Sequence, residues 1–168
     1  MPEPLALLIL LIAAAIGFGI ANGFNDAANA IAAVIGTRTL SPRAAIPMAA
    51  CFNFLGAATG TAVAVTIGAN VIAPGALTME IILSGVVAVI IWAVVATHYG
   101  MPISATHGLV AGLVGAGIAT GGGEIILWKE GPAKVLSAAG IAPLLGFVGG
   151  FLLMVAILWL FQKSAPER

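Results

Sequence analysis

Long uninterrupted apolar runs alternate with short polar segments along this chain of 168 residues. The polar and apolar positions inside a run do not alternate, as they would in the roughly 10-residue strands of a membrane barrel. Apolar runs of about 20 residues are typical of transmembrane helices, which pair their own backbone polar groups. We therefore predict an all-α integral membrane protein with about five membrane segments, forming a single transmembrane domain over residues 1–168.

The first apolar run, residues 5–40, is too long for one crossing. A single helix of that length would measure about 54 Å, whereas the hydrocarbon core is about 30 Å thick. The cluster Gly17, Gly19, Asn22 and Gly23 marks the natural break, which predicts a broken first helix: Leu5–Ala21, an irregular turn, and Asp26–Gly36.

The same region contains three Asn and one Asp in apolar surroundings, at Asn22, Asn25, Asp26 and Asn29. With the break, Asn25 and Asp26 lie at a helix N-terminus, where such residues cap well. If the helix instead continues, Asn22, Asp26 and Asn29 follow at i, i+4 and i+7 and share one face. Either geometry concentrates oxygen atoms in one place.

Three further helices are predicted over residues 44–67, 79–97 and 135–161. Between the last two lies a second polar interruption, residues 98–108, which contains Pro102. Proline suits a first helical turn, and the following residues are rich in glycine. We predict a re-entrant or half-helix segment near 102–120.

The composition agrees with a membrane protein: 61% of residues are hydrophobic and 7% are charged, against about 25% charged in soluble domains. The net charge of zero argues against a nucleic-acid partner. The lone Cys51 excludes a disulfide framework. The N-terminus lacks a basic region, so we expect the first run to remain as a membrane segment.

All six Lys and Arg residues lie in loops or in the tail. With five crossings, Arg38, Arg43, Lys163 and Arg168 share one side and Lys129 and Lys134 the other, and the positive-inside rule then places the N-terminus outside. The bias is small. With four crossings the assignment changes.

Asp26 indicates function, because a carboxylate at membrane depth costs roughly 2.5–3.5 kcal/mol and usually faces an interior pathway. Asp26 with Asn22, Asn25 and Asn29 offers oxygen ligands to a hard cation such as Na⁺, or Asp26 takes up a proton. Ser104 and Thr106 lie at a predicted helix N-terminus, which suits a phosphate-like anion. Since a carboxylate repels an anion, a bound cation or proton would make anion binding favourable, and joint binding is symport.

Simpler alternatives remain open for each residue. In one alternative, Asp26 only caps a helix at the interface. In another, Asn22 and Asn29 only form hydrogen bonds between helices. Similarly, Ser104 and Thr106 would only cap a helix, and His98 and His107 would be packing residues. A membrane-embedded metal enzyme using Asp26, His98 and His107 is a rival, but the sequence has no metal-ligand spacing such as His-x-x-x-His, so we predict that the protein is not an enzyme.

Three motifs, in order and spacing, resemble the inorganic phosphate transporter (PiT) family over nearly the whole chain. They are Gly23-Phe24-Asn25-Asp26-Ala27-Ala28-Asn29-Ala30 with Ile35-Gly36-Thr37-Arg38, then Phe52-Asn53-Phe54-Leu55-Gly56, then Pro102-Ile103-Ser104-Ala105-Thr106-His107. The resemblance implies Na⁺- or H⁺-coupled phosphate symport, with phosphate free or as a metal complex, and no other cofactor.

The resemblance also implies a fold of two inverted repeats that meet at a central site. By position, Asn25, Asp26 and Asn29, with Asn22 beside them, would serve the cation, and Asp26 is a possible Na⁺ ligand. Ser104, Ala105 (through its backbone amide) and Thr106 would bind phosphate, and His107 would support that turn. The predicted location is the cell (inner) membrane, with several crossings.

Full-length members of the family resemble two fused halves, whereas this chain has one motif of each kind and resembles the N-terminal half. A half-site cannot enclose phosphate alone. We therefore expect an antiparallel homodimer or a partnership with a separate second-half chain; the small Lys/Arg bias permits both orientations. The alternatives are an inactive fragment and a non-transporting membrane subunit.

Overall fold

A computed structural model describes residues 5–60 and 67–163, and within them five α-helices have both ends described. They are α1 (Leu5–Gly36), α2 (Pro42–Thr59), α3 (Met79–His98), α4 (Ala105–Gly121) and α5 (Pro132–Leu160). Residues 67–70 are also helical. A short 3₁₀ helix, Gly123–Ile125, follows α4. The predicted all-helical class is confirmed.

The predicted break in the first helix is wrong, because α1 is one continuous helix of 32 residues from Leu5 to Gly36. The segment contains three internal glycines near the expected break but no proline. Each internal glycine costs only about 1 kcal/mol relative to alanine. A helix also satisfies its own backbone groups, which an irregular turn in lipid does not. At about 48 Å, α1 is longer than the hydrocarbon core is thick, so it tilts or projects from it.

Two predicted helices are confirmed within three residues at either end, those at 79–97 and 135–161. Thr78 caps α3 by accepting a hydrogen bond from the Ile81 amide at 3.4 Å. The second helix begins at Pro42, two residues earlier than expected, and ends at Thr59. The predicted continuation to 67 includes residues 61–66, which lie outside the described residues.

The short helix predicted near 102–120 is present as α4, which has 17 residues and measures about 26 Å. Among the described residues, three helices are long and apolar enough to cross a membrane, namely α1, α3 and α5. α4 is apolar but shorter. The chain is therefore a multi-pass membrane protein, with a short fourth helix between its second and third candidate spans.

Helix α3 lies between α1 and α4 and packs against both, while α2 packs against α1. Gly85 of α3 and Gly112 of α4 approach each other closely. A Cβ atom built at Gly112 would lie 2.6 Å from the Gly85 carbonyl oxygen. Small residues allow membrane helices to approach this closely, so the α3–α4 pair depends on them.

Residues 71–73, which precede α3, form hydrogen bonds with residues 125–127, which follow α4. Ile72 and Ile126 form an isolated antiparallel β-bridge, supported by the bond from the Ala73 amide to the Ile125 carbonyl at 2.8 Å. Val71, Ile72 and Ile126 are buried. Together they close one end of the α3–α4 pair with apolar side chains.

The chain divides into two units, Met1–Pro132 and Ala133–Arg168. All of the predicted site residues belong to the first unit. The second contains nearly all of α5, which includes Pro143 and has no buried residue. Such an apolar, exposed helix is suited to contact with lipid or with another protein.

Candidate functional site

Asn25 is the one buried polar residue of the described chain, with 7% of its surface exposed. Its side-chain Nδ2 donates hydrogen bonds to Thr97 Oγ1 and to the Met101 carbonyl, both at 3.2 Å. Its Oδ1 accepts a hydrogen bond from the Ile103 amide at 3.2 Å. The side chain thus joins the middle of α1 to the segment between α3 and α4.

That segment is shaped by a glycine turn at the end of α3. Gly100 has a φ of 67°, a conformation that glycine adopts without strain. The Gly100 amide bonds to the Thr97 carbonyl at 3.0 Å, and the Met101 amide bonds to the Ala96 carbonyl at 2.8 Å. This is a Schellman ending, and it presents the Met101 carbonyl to Asn25.

Ser104 caps the N-terminus of α4. Its Oγ accepts a hydrogen bond from the His107 amide at 3.3 Å and lies 2.5 Å from His107 Nδ1. In the tautomer of His107 that has no proton on Nδ1, the Ser104 hydroxyl donates to Nδ1 and Nε2 carries the ring proton. The first amides of a helix have no partner within it. Since the His107 amide donates to Ser104, the amides of Ala105 and Thr106 are the ones available to a ligand.

The predicted phosphate residues all lie in this one turn. Ser104, Thr106 and His107 are exposed, and Ala105 is half-buried. Ser104 and His107 line a cavity of about 470 Å³ whose wall on α3 includes Val89 and Trp92. The cavity is therefore apolar on one side and carries hydrogen-bonding groups on the other.

The predicted cation residues divide into two environments. Because α1 is continuous, Asn22, Asp26 and Asn29 share a face. Asp26 and Asn29 are exposed and Asn22 is half-buried, whereas Asn25 points into the protein. Among the described residues, Asp26 has no hydrogen-bond or ion-pair partner.

Asn25 and Asn29 line a second, smaller cavity of about 160 Å³, together with Thr97, Met101 and Pro102. Ile103 and Ser104, the next residues along the chain, line the larger cavity. The short segment 101–104 thus forms a wall of both. The structure brings the two polar patches to neighbouring cavities that share this segment, rather than into one cavity.

The two histidines have separate neighbours. His98 packs edge-on against Tyr99, with ring centroids 5.3 Å apart and an interplanar angle of 81°, while His107 contacts Ser104. Within the described part of the chain, no group of three His, Cys, Asp or Glu side chains could hold a metal ion.

Sequence reasoning did not identify Thr97, nor the backbone groups of Met101 and Ile103, as partners of Asn25. Thr97 offered a weak signal, as a polar residue in the last turn of an apolar helix. Backbone groups offer none, because every residue carries them.

Comparison with known proteins places these features in a family. Residues 22–168 match the phosphate transporter family. A probable low-affinity inorganic phosphate transporter of Rhizobium meliloti (strain 1021) is 41% identical over 161 residues, which cover 95% of this chain and 48% of that protein. One from Streptomyces halstedii, with the same description, is 42% identical, with 97% of this chain and 76% of that protein covered.

A solved structure titled "The sodium-dependent phosphate transporter" has the same fold, with a TM-score of 0.87 and 28% sequence identity. The match covers 96% of this chain and 42% of that one. The chain thus spans about half the length of the Rhizobium relative and less than half of the solved transporter.

Proposed function

Since the chain belongs to the phosphate transporter family, we propose that it takes part in ion-coupled symport of inorganic phosphate, as one half of an assembled pathway. The observation that carries the proposal is the hydrogen bond from the Ile103 amide to Asn25 Oδ1. It joins α1, at the residue next to Asp26, to the short segment that leads into the N-terminus of α4.

Phosphate binds, in this proposal, at the N-terminus of α4. The free amides of Ala105 and Thr106, the hydroxyl of Thr106 and Nε2 of His107 are donors that suit phosphate oxygens, and the helix terminus adds a partial positive charge. Ser104 shapes the turn through its cap and adds its hydroxyl. Because these groups are dipoles without a full positive charge, they leave a net negative charge to be compensated.

The coupling cation supplies that compensation. Asp26, with the amide oxygens of Asn22 and Asn29 on the same face, offers the hard oxygen ligands that Na⁺ prefers, and protonation of Asp26 would neutralise the carboxylate instead. The solved relative is titled sodium-dependent, which favours Na⁺. Asn25, the fourth predicted ligand, has two amide hydrogens and one carbonyl position already occupied within the protein.

The pathway needs a second half. Asp26 is exposed in this chain, and so are Ser104, Thr106 and His107 at the first turn of α4. A carboxylate facing lipid is costly. A second copy in the opposite orientation, or a separate second-half chain, would cover both and complete the site. We place the assembly in the cell (inner) membrane, where a Na⁺ or proton gradient is available, and assign it transport rather than catalysis.

The test is uptake of radiolabelled phosphate into proteoliposomes that contain only the purified chain. Three conditions are compared: an inward Na⁺ gradient, an inward proton gradient and no gradient, with protein-free liposomes as the control. We expect uptake above the control under one gradient, and that gradient identifies the ion. Uptake equal to the control in all three conditions would contradict transport by this chain alone and direct the search to a second chain.

A further inference from the structure

We propose that Asn25 is a positioning residue and not a cation ligand. Its three hydrogen bonds, here called the tether, join α1 to the segment 101–104. The tether fixes the phosphate turn, residues 104–107, relative to Asp26. This inference depends on the proposed symport function. It explains how the cation residues on α1 and the phosphate residues at the N-terminus of α4 are held at a fixed distance.

The hydrogen-bonding capacity of the amide supports this role. An asparagine side chain has two donor hydrogens and one acceptor oxygen with two lone pairs. Both hydrogens are used, on Thr97 and Met101, and the oxygen accepts from the Ile103 amide. The side chain is also buried. With both hydrogens and one lone pair engaged in a buried side chain, only one lone pair of the amide is left, so its main role is to hold the two segments together.

The position of the tether gives it influence on both ligand groups. Asp26 directly follows Asn25 on α1, and Ser104 directly follows Ile103 at the N-terminus of α4. The tether spans 78 residues of sequence and is the direct polar link between these two places in the described chain. A displacement of the α4 turn therefore changes the distance between the cation and phosphate groups.

The consequence is a specific effect on coupling. With the tether intact, the cation on α1 and the phosphate at the turn are held at a fixed distance. Each ligand then raises the affinity for the other by the same factor. Without the tether, each group binds its own ligand, but the turn moves independently of α1. Phosphate affinity then falls and responds less to the cation.

The first experiment measures the phosphate KM in proteoliposomes as a function of Na⁺ or proton concentration, for the wild type, four single variants and one double variant. Asn25→Leu has a similar size and removes all three hydrogen bonds. Asn25→Asp keeps an acceptor for Ile103 but loses both donors, and Thr97→Val removes one partner only. Asn53→Leu is the matched control, because Asn53 is an exposed amide on α2.

We expect Asn25→Leu to raise the phosphate KM by about tenfold and to flatten its dependence on the coupling ion, with Thr97→Val intermediate and Asn53→Leu unchanged. The double variant Asn25→Leu/Thr97→Val should match Asn25→Leu alone, because both act through one interaction. A lowered maximal rate with unchanged KM and unchanged ion dependence in Asn25→Leu would indicate a purely structural role and overturn the proposal.

The second experiment is independent of transport: hydrogen exchange of the peptide covering residues 99–107 in the wild type, Asn25→Leu and Asn53→Leu. Loss of the tether should speed exchange at the Ile103 amide by about tenfold, with no change in Asn53→Leu. Unchanged exchange in Asn25→Leu would overturn the tether itself. If the wild type shows no ion-driven uptake but this exchange still rises, the proposed function fails while the tether stands.

Discussion

Two adjacent residues of α1, Asn25 and Asp26, have opposite environments. Asn25 is buried and makes three hydrogen bonds, whereas the Asp26 carboxylate is exposed and has no partner among the described residues. Consecutive residues on a helix are about 100° apart, which separates the two side chains. One motif thus supplies both an internal tether and an outward charge.

Asp26 provides the sharpest prediction at this scale. Replacing Asp26 with Asn keeps the size of the side chain but removes the charge that attracts the cation, so gradient-driven phosphate uptake should fall by at least about 100-fold. The control is Glu124→Gln, which neutralises a carboxylate in the 3₁₀ helix away from the site and should transport like the wild type. Uptake by Asp26→Asn within about twofold of the wild type would contradict the coupling role of this carboxylate.

Ser104 provides a second prediction. Ser104→Ala removes the cap of α4, which should lower stability by about 1 kcal/mol and raise the phosphate KM as the turn loosens. Ser104→Thr keeps a capping hydroxyl and should restore most of both. Thermal denaturation and uptake kinetics measure the two effects, and a normal KM in Ser104→Ala would show that the cap does not order the phosphate site.

At the scale of elements, the hydrophobic pattern predicted α3 and α5 well because their ends coincide with clear polar segments. It failed in α1, where three glycines and an asparagine were interpreted as a break. Glycine weakens a helix but does not interrupt it in the way that proline does, and the membrane favours intact backbone pairing. The alternative prediction, a continuous helix with Asn22, Asp26 and Asn29 on one face, agrees with the structure.

The glycine contact between α3 and α4 leads to a prediction for this pair of helices. Gly112→Ala places a Cβ atom against the Gly85 carbonyl oxygen, at 2.6 Å if nothing moves, so the helices must separate. We expect a loss of about 1–3 kcal/mol, visible as a lower denaturation temperature. Gly115→Ala is the matched control, since no atom lies within 4 Å of its added Cβ, and it should be neutral or slightly stabilising. Equal stability of the two variants would refute the close packing.

At the scale of the whole molecule, the sequence predicted the helical membrane class and the short α4, and it offered a cap at Ser104 as one alternative. It predicted neither the tether of Asn25 nor the separation of the site into two cavities. Both depend on which groups from distant parts of the chain meet, such as a carbonyl at Met101 and an amide at Ile103, and these groups carry no residue-specific signal.

Pairing belongs to this scale and can be tested by crosslinking in membranes. In a Cys51→Ala background, Asn29→Cys places the only thiol on the exposed face of α1. If two copies meet across this face, a short bismaleimide should produce a covalent dimer. Glu124→Cys should not form a dimer. In an antiparallel pair, the two copies of the segment between α4 and α5, which contains Glu124, lie on opposite sides of the membrane. Monomers alone at position 29, in a preparation that still transports phosphate, would rule out the homodimer.

The central claim is that a cation and phosphate bind together at this site, and its most direct test is their thermodynamic linkage. Phosphate binding to the purified chain is measured at rising Na⁺, with choline replacing Na⁺ at constant ionic strength, and is repeated across pH without Na⁺. The account predicts a phosphate Kd that falls as Na⁺ rises, or as pH falls if the proton is the coupling ion, with the dependence lost in Asp26→Asn. Measurable phosphate binding with a Kd independent of both Na⁺ and pH would contradict it.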